Sequence, residues 1–130
     1  LGLGVFSLLE ADFGRWDAFV ASCTEATFFH RAGWRTVLEH AFGNRTHFLF
    51  AEREGQIEGV LPLAEVSSFL FGHSLVSTPF CVYGGPAATT EAARHALIEA
   101  AEALAKQLGV QHLELRSQRV SKPDWEHKDL

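Results

Sequence analysis

The stretch STPFCVYGGPAA, residues 77–88, joins a strand-rich half of the chain to its longest helical pattern. Residues 80–83 have the composition of a strand, whereas Gly84, Gly85 and Pro86 break it and let another backbone segment or a ligand approach closely. We therefore expect any site of this chain to include this stretch. The alternative is a plain strand-to-helix connector, which every α/β fold contains.

Bulk properties narrow the class of protein. A length of 130 residues suits one domain with its own core, and a start at Leu1 without any Met predicts a piece of a longer protein. The formal charge of −5 and the lack of Lys/Arg clusters argue against direct nucleic-acid binding. Cys23 and Cys81 form neither a disulfide framework nor a zinc pattern, and no apolar run reaches the roughly 18 residues of a membrane span. These features predict a cytoplasmic protein.

The first part of the chain predicts one strand and two helices. A short apolar segment at residues 3–9 has the pattern of a strand, and Asp12 is a suitable N-cap for a helix that carries Trp16. A second helix is predicted at residues 31–42, because its apolar side chains recur at helical spacing and Gly43 follows as a C-terminal glycine.

The middle of the chain has the pattern of a hairpin. Residues 46–53 and 56–66 predict two antiparallel strands joined by a tight turn at residues 54–55. Pro62 cannot donate to a strand ladder, so it predicts a bulge or an edge position within the second strand. A turn and a third strand, which starts near His73, then lead into the stretch quoted above.

The last part predicts a long helix and a final strand. Thr89 or Thr90 caps the helix and Gly109 ends it. Its apolar stripe consists of Ala93, Leu97, Ala100, Leu104 and Leu108. The strand, residues 110–117, places Leu113 and Leu115 on one face and His112, Glu114 and Arg116 on the other. The order β-α-α-β-β-β-α-β predicts an α/β (α+β) fold, with a mixed sheet flanked by helices.

Four segments carry a resemblance to a known family. They are ATFFHRAGWRTVLEHAFG (residues 26–43), HFLFAEREGQIEGVLPLAEV (47–66), STPFCVYGGPAA (77–88) and LGVQHLELRS (108–117). In this order they resemble the FemAB-like branch of the GNAT acyltransferases. More narrowly, they look like the FemAB-related proteins that accompany exosortase and PEP-CTERM systems and exopolysaccharide synthesis genes. The likeness covers nearly the whole chain, and the order of the segments carries it more than any single motif.

The resemblance implies a GNAT-like domain at residues 1–118, followed by a linker at residues 119–130 towards a second GNAT-like domain. Proteins of the Fem family consist of two such halves and transfer an acyl or aminoacyl group to an amine of a cell-wall or surface-polymer precursor. This chain resembles the first half, which implies that it binds the acceptor and is inactive alone. A dimer of the isolated piece is a further expectation, because the surface that docks the second half would be exposed.

The sequence departs from the family pattern at one point. A standard GNAT domain binds the pyrophosphate of acetyl-CoA with Arg or Gln followed by x-x-Gly-x-Gly or Ala, at the helix after its fourth strand. Here that position holds VYGGPAA, residues 82–88, which lacks the Arg or Gln, and Pro86 removes one backbone N–H group. We therefore expect no cofactor in this half, and acyl-CoA or aminoacyl-tRNA as the donor of the full-length protein.

The candidates for acceptor binding are His30, Thr78, Tyr83, Gly84, Gly85, His112, Glu114 and Arg116. Acyl transfer to an amine needs an aimed neutral amine, a base or relay for its proton, and donors for the developing oxyanion. Tyr83 could supply a hydroxyl group, and the two glycines after it could supply backbone N–H groups. The alternative is that Tyr83 is only a half-buried side chain next to a turn. A histidine before a helix relays a proton near neutral pH, or is an ordinary helix-entry residue.

Two further alternatives stay open. The polar face with His112, Glu114 and Arg116 lines a cleft, or Glu114 pairs with Arg116 at a surface. The remaining histidines have no metal-ligand spacing, so no metal site is predicted: His40, His47, His73, His95 and His127. For the whole domain, the alternative to an acceptor-binding half-enzyme is a non-catalytic module that recognises a glycan or peptide or docks another domain.

Overall fold

The computed structural model of the chain describes residues 2–24, 26, 30–41, 43–68, 72–77 and 86–115. Within these ranges the elements are β1 (Gly4–Ser7), α1 (Phe13–Ser22), α2 (Gly33–Ala41), β2 (Arg45–Thr46), β3 (Leu49–Arg53), β4 (Gln56–Leu61), β5 (Leu63–Ser68), β6 (Gly72–Ser77), β7 (Ala87–Ala88), α3 (Glu91–Leu108) and β8 (His112–Glu114). A 3-10 turn, Glu10–Asp12, precedes α1. The predicted order of strands and helices is confirmed, except that each of the first two middle strands is divided into two and that β7, which was not predicted, follows the third.

The strands form two four-stranded sheets, which we call the first sheet (order β1-β3-β4-β7) and the second sheet (order β2-β5-β6-β8). They meet at Pro62, because β4 ends one residue before it and β5 begins one residue after it. A proline has no N–H group to donate to a ladder, which accounts for the break. The predicted irregularity at Pro62 is therefore confirmed.

The hairpin between β3 and β4 has the predicted tight turn. Glu54 and Gly55 have φ angles of 53° and 80°, the left-handed values that a type I′ turn requires at both central positions. Arg53 pairs with Gln56 across this turn, and a register shift between Ala51 and Glu52 marks a bulge further along the hairpin.

Helices cover the two faces of the sheets. On one face α1 and α2 pack a cluster of buried residues onto the strands: Leu8, Trp16, Phe19, Cys23, Ala32, Leu38, Phe48, Phe50, Val60, Ala64 and Ala87. On the other face α3 packs a second cluster: Leu49, Ala51, Leu61, Leu63, Leu75, Ala88, Ala93, Leu97, Ala101, Ala105 and Leu113. Alternating strand residues thus reach alternate cores, as the pleat of a strand demands.

Both ends of α3 match the sequence prediction. Thr90 is the N-cap and accepts a hydrogen bond from the N–H of Ala93, and Gly109 ends the helix with a φ angle of 71°. The predicted apolar stripe needs a correction, because Ala101 and Ala105 are fully buried whereas Ala100, Leu104 and Leu108 are partly buried. The most buried line of α3 therefore runs through Ala93, Leu97, Ala101 and Ala105, at a spacing of four residues.

Two element boundaries also differ from expectation. The sequence pattern predicts that Val110 begins the last strand, but its N–H group donates to the carbonyl of Ala105 and so completes the C-terminal cap of α3. Asp12 lies at the N-cap position of α1 as predicted, yet its carboxylate makes no cap bond and accepts from the N–H of Leu9 instead. In the part of the chain that the structure describes, no helix is long and apolar enough to cross a membrane.

Candidate functional site

The strand with the predicted polar face, β8, runs beside β6. The two strands are parallel, with Ser74 opposite His112, Leu75 opposite Leu113 and Val76 opposite Glu114. Leu75 and Leu113 are fully buried in the core under α3. Because strand residues alternate, Glu114 belongs to the opposite face, and the residue is partly buried there.

Strand register connects Glu114 to the core under α1 and α2. Ala64 pairs with Val76, and Val76 pairs with Glu114, so these three residues lie in one row across the second sheet. Ala64 belongs to the cluster that contains Trp16. The row therefore runs from the α1–α2 core to the predicted cleft, and Glu114 is at its outer end.

His30 lies beneath α1 on the same side of the sheets. It is 2% exposed, and its backbone carbonyl accepts a hydrogen bond of 2.6 Å from the indole Nε1–H of Trp16. Next to it, the N–H of Ala32 donates to the Asp17 carboxylate at 2.8 Å. These contacts fix the entry of α2 against α1, so a helix-entry role accounts for the position of His30, and its predicted acceptor contact stays a prediction.

The other predicted site residues divide between two groups. His112 and Glu114 both belong to β8, opposite Ser74 and Val76 of β6, and their acceptor contacts stay predictions. Thr78, Tyr83, Gly84, Gly85 and Arg116 lie outside the described residues, so their roles also stay predictions.

The chain returns to the sheet before it enters α3. Leu63 of β5 pairs with Ser77 of β6, and Val60 of β4 pairs with Ala87 of β7. The two partner residues are therefore ten positions apart in the chain, whereas Val60 and Leu63 are only three positions apart. Ala87 and Ala88 form β7, and only Thr89 and Thr90 separate that strand from the helix. The predicted glycine segment is therefore not directly joined to the N-terminus of α3.

The N-terminus of α3 is tied to Glu58 of β4. The backbone carbonyl of Glu58 accepts from the N–H of Thr89 at 2.9 Å, and its Oε1 atom accepts from the hydroxyl of Thr90 at 3.1 Å. The Oε2 atom of Glu58 pairs with Nε of Arg53 at 3.2 Å. A second carboxylate, that of Glu91, lies in the first helical turn.

A further polar cluster, which sequence reasoning missed, lies on the second sheet. Glu65 places one carboxylate oxygen 2.6 Å from Nε2 of His47 and the other 2.8 Å from Nε2 of His73. Glu65 is on β5, His73 is on β6 and His47 follows β2, so the cluster links three neighbouring segments. The side chain of Glu65 is 10% exposed, and those of the two histidines are 25% and 39% exposed.

Charge and burial act in opposite directions on Glu65. Burial acts to raise the pKa of its carboxyl group, but the hydrogen bonds from His47 and His73 and the attraction to their rings outweigh it, so the pKa lies below its usual value. An ionised Glu65 can only accept hydrogen bonds, so each neighbouring Nε2 carries the proton. Each imidazole is thus oriented by a carboxylate, as proton-accepting histidines often are.

The signal for this cluster was present in the hairpin register. Glu65 pairs with Leu75, and Ser67 pairs with His73, so Glu65 and His73 are diagonal neighbours on one face. Spacing along the sequence does not reveal the cluster, because Glu65 and His73 are eight residues apart and meet only through this register. In the described part of the chain, no group of three or more potential ligand side chains is arranged to hold a metal ion.

A separate cleft of about 370 Å³ lies between α1 and the β3–β4 turn. Its lining includes Arg15, whose guanidinium already donates to the carbonyl of Gly55 and pairs with Asp12 and Glu52. These contacts hold the helix onto the hairpin, and they lie on the first sheet, away from the row that ends at Glu114.

Comparison with solved structures finds the same architecture in acetyltransferases. A GNAT family acetyltransferase from Staphylococcus aureus is 12% identical, with a TM-score of 0.62 and coverage of 94% of each chain. A ribosomal-protein-alanine N-acetyltransferase from Brucella melitensis is 14% identical, with a TM-score of 0.63 and coverage of 99% of this chain and 89% of that chain. An aminoglycoside 6'-N-acetyltransferase from Acinetobacter baumannii is 16% identical, with a TM-score of 0.60 and coverage of 98% and 86%.

No protein-family model matches the sequence, and no match is found among the curated proteins. Structural likeness at these identities shows the fold. The chain has the fold of the GNAT acetyltransferases, as the order of its strands and helices predicts.

Proposed function

We propose that this chain is the acceptor-binding half of a FemAB-like N-acyltransferase, and that the acceptor is an amine of a surface polysaccharide or cell-wall precursor. The observation that carries the proposal is the edge formed by β6 and β8, where the partly buried residue Glu114 lies opposite Val76, near the end of β6. Two structural neighbours with this fold are named as acetyltransferases of ribosomal-protein alanine and of aminoglycosides, which are amine-bearing acceptors.

Glu114 has the chemistry that such an acceptor requires. An amine arrives at neutral pH mostly as an ammonium ion, and a half-buried carboxylate attracts that ion more strongly than an exposed one does. Before the amine attacks an acyl carbon it must lose a proton, which a carboxylate within hydrogen-bond distance accepts. Glu114 would therefore both bind the amine and receive its proton.

The charge of the whole chain agrees with this proposal. The formal net charge of −5 favours the approach of a cationic acceptor and opposes direct binding of an aminoacyl-tRNA. The donor would be held by a second GNAT-like domain.

The test is a titration of the 15N-labelled 130-residue chain with glucosamine, using N-acetylglucosamine as the neutral analogue. We expect glucosamine to shift the backbone amide resonances of residues 74–76 and 112–115, because these residues form the β6–β8 edge. Glu114→Gln should weaken this binding about tenfold, since a hydrogen bond to a charged group is lost.

A matched control separates local contact from overall charge. Glu10→Gln removes one negative charge from the exposed 3-10 turn before α1 and should leave glucosamine binding unchanged. Equal shifts with N-acetylglucosamine, or equal weakening by Glu10→Gln and Glu114→Gln, would rule out recognition of the amine by Glu114.

The alternative is a recognition module without catalysis, or one that docks another domain. The carboxylates around the N-terminus of α3 favour it, because a chain that needs no acyl donor needs no phosphate site. A recognition module would bind glucosamine and N-acetylglucosamine alike at the same edge. A docking module would form dimers as an isolated chain, which light scattering at rising protein concentration detects.

A further inference from the structure

We propose that Glu58 and Glu91 prevent phosphate from binding at the N-terminus of α3. This chain therefore does not bind an acyl-CoA donor there, although the GNAT fold would place the pyrophosphate of the donor at this helix. The inference rests on the proposed function, because it assigns binding of the acyl donor to another domain. Its experimental test, however, needs only this chain and CoA.

The first step concerns the backbone donors. A helix N-terminus binds phosphate through the N–H groups of its first turn and the preceding loop. Here the N–H of Ala93 donates to the hydroxyl oxygen of Thr90 at 3.1 Å, and the N–H of Arg94 donates to the carbonyl of Thr90 at 3.2 Å. The N–H of Thr89, in the loop, donates to the Glu58 carbonyl at 2.9 Å. Two donors of a potential phosphate site, the N–H groups of Thr89 and Ala93, are therefore already used, whereas the N–H of Arg94 makes the first regular bond of the helix.

The second step concerns charge. The hydrogen bond from Thr90 holds the Glu58 carboxylate at the N-cap, and Glu91 adds another carboxylate in the first turn. Both acidic groups are favourable partners of the positive end of the helix dipole, so they occupy the electrostatic role that a bound phosphate would have. A pyrophosphate at this position would lie beside two like charges.

The third step concerns the nearby cations, which are already engaged. Arg94 is 8% exposed, and its Nη1 donates to the carbonyl of Pro86 at 3.3 Å. Its Nε lies 3.6 Å from the Glu91 carboxylate. Arg53 pairs with Glu58. Neither guanidinium replaces the Arg or Gln that the sequence lacks in the GNAT loop pattern.

The test measures binding of CoA and of inorganic pyrophosphate by isothermal titration calorimetry at low ionic strength. We expect no saturable binding to the parent chain at millimolar ligand. The double variant Glu58→Gln/Glu91→Gln should bind both ligands at least about tenfold more tightly than the parent, because two like charges are removed within a Debye length of the phosphates. The glutamine introduced by Glu58→Gln keeps a carbonyl oxygen to accept the Thr90 hydroxyl, and a thermal melt confirms that the variant is folded.

The matched control is Glu10→Gln/Glu99→Gln, which changes the net charge equally at exposed positions. Glu99 lies eight residues further along α3, about 12 Å away at the rise of an α-helix. Micromolar CoA binding by the parent chain would overturn the inference, as would an equal gain in the control or no gain in the folded double variant. None of these outcomes bears on the glucosamine titration at Glu114, so the two proposals fail separately.

Discussion

The first sheet is packed between helices on its two faces, whereas the second sheet carries most of the polar groups of interest. In the first sheet, Phe50 lies against the α1 core and Leu61 against the α3 core. Helix α3 packs mainly on β1, β3, β4 and β7, and it reaches the second sheet chiefly at β8. The second sheet instead presents Glu65, with its two histidines, and Glu114. Apolar contacts to helices on both faces thus fix the first sheet, whereas in the second sheet a partly buried carboxylate, that of Glu65, also links three neighbouring segments.

The largest expected effect comes from Gly59, the point of closest approach between α3 and the first sheet. A Cβ atom at this position would lie 2.9 Å from Leu97 Cδ1, 3.2 Å from Ala88 Cβ and 3.3 Å from Ala93 Cβ. We expect Gly59→Val to lower the free energy of unfolding by about 3 kcal/mol, because overpacking must move the helix. Urea denaturation followed by tryptophan fluorescence measures the change.

Gly2→Val is the matched control, because nothing lies within 4 Å of a Cβ built there and the residue is exposed. It should change the free energy of unfolding by less than about 0.5 kcal/mol. If both variants lowered the free energy of unfolding by a similar amount, α3 would not be tightly packed on the first sheet at Gly59.

Most of the first sheet was predictable from sequence because its physics is local. The turn at Glu54 and Gly55, the break at Pro62 and the caps at Thr90 and Gly109 each follow from one residue type in one backbone conformation. The face of α3 that is most buried was not predictable, because Ala100 and Ala101 are equally apolar in the sequence and only packing on the sheets distinguishes them. Periodicity indicates a stripe, but the partner surface determines its centre line.

A smaller effect is expected from Glu65→Gln in the second sheet. The variant is neutral, so neither hydrogen bond to a histidine has a charged acceptor any longer, and its amide N–H group meets one imidazole Nε2–H, so that ring must change tautomer. We expect a loss of about 1–2 kcal/mol at pH 7, at the lower end for bonds to a charged group because both rings are partly exposed. Urea denaturation at several pH values measures it.

The difference in stability between the parent chain and Glu65→Gln should depend on pH. The pKa of Glu65 is lowered in the folded chain, so its ionised form stabilises the fold above the usual Glu value of about 4.5, and this stabilisation is lost as the pH falls through the folded-state value. The difference between parent and Glu65→Gln should therefore shrink in acid. Glu10→Gln, at an exposed position, is the control. A difference that stays constant from pH 7 to pH 3 would mean that the ionised carboxylate does not stabilise the sheet.

The polar cluster could not be read from the sequence because it depends on register. Glu65 and His73 are eight residues apart, and they meet only because β5 and β6 pair with Ser67 opposite His73. His47 joins them because its N–H donates to the carbonyl of Leu63 at 2.8 Å, which fixes the segment after β2 against β5. The face of Glu114 was predictable, since alternation along one strand separates it from Leu113. The position of β8 at the end of the second sheet was not, because the sequence pattern suggests a central strand.

The smallest effect is expected from Arg15→Gln, although Arg15 of α1 has two ionic partners, Asp12 and Glu52. Its guanidinium lies 3.1 Å from both Asp12 and Glu52 and 5.5 Å from the centre of the Phe50 ring, and its side chain is 44% exposed. Solvent screens such pairs, so we expect a loss below about 1 kcal/mol that disappears in about 0.5 M NaCl. Arg15→Lys, which keeps the charge, should behave like the parent chain. If Arg15→Gln cost more than Glu65→Gln in the same urea titration, exposure would not decide the value of an ion pair here, and the contrast between the two sheets would fail.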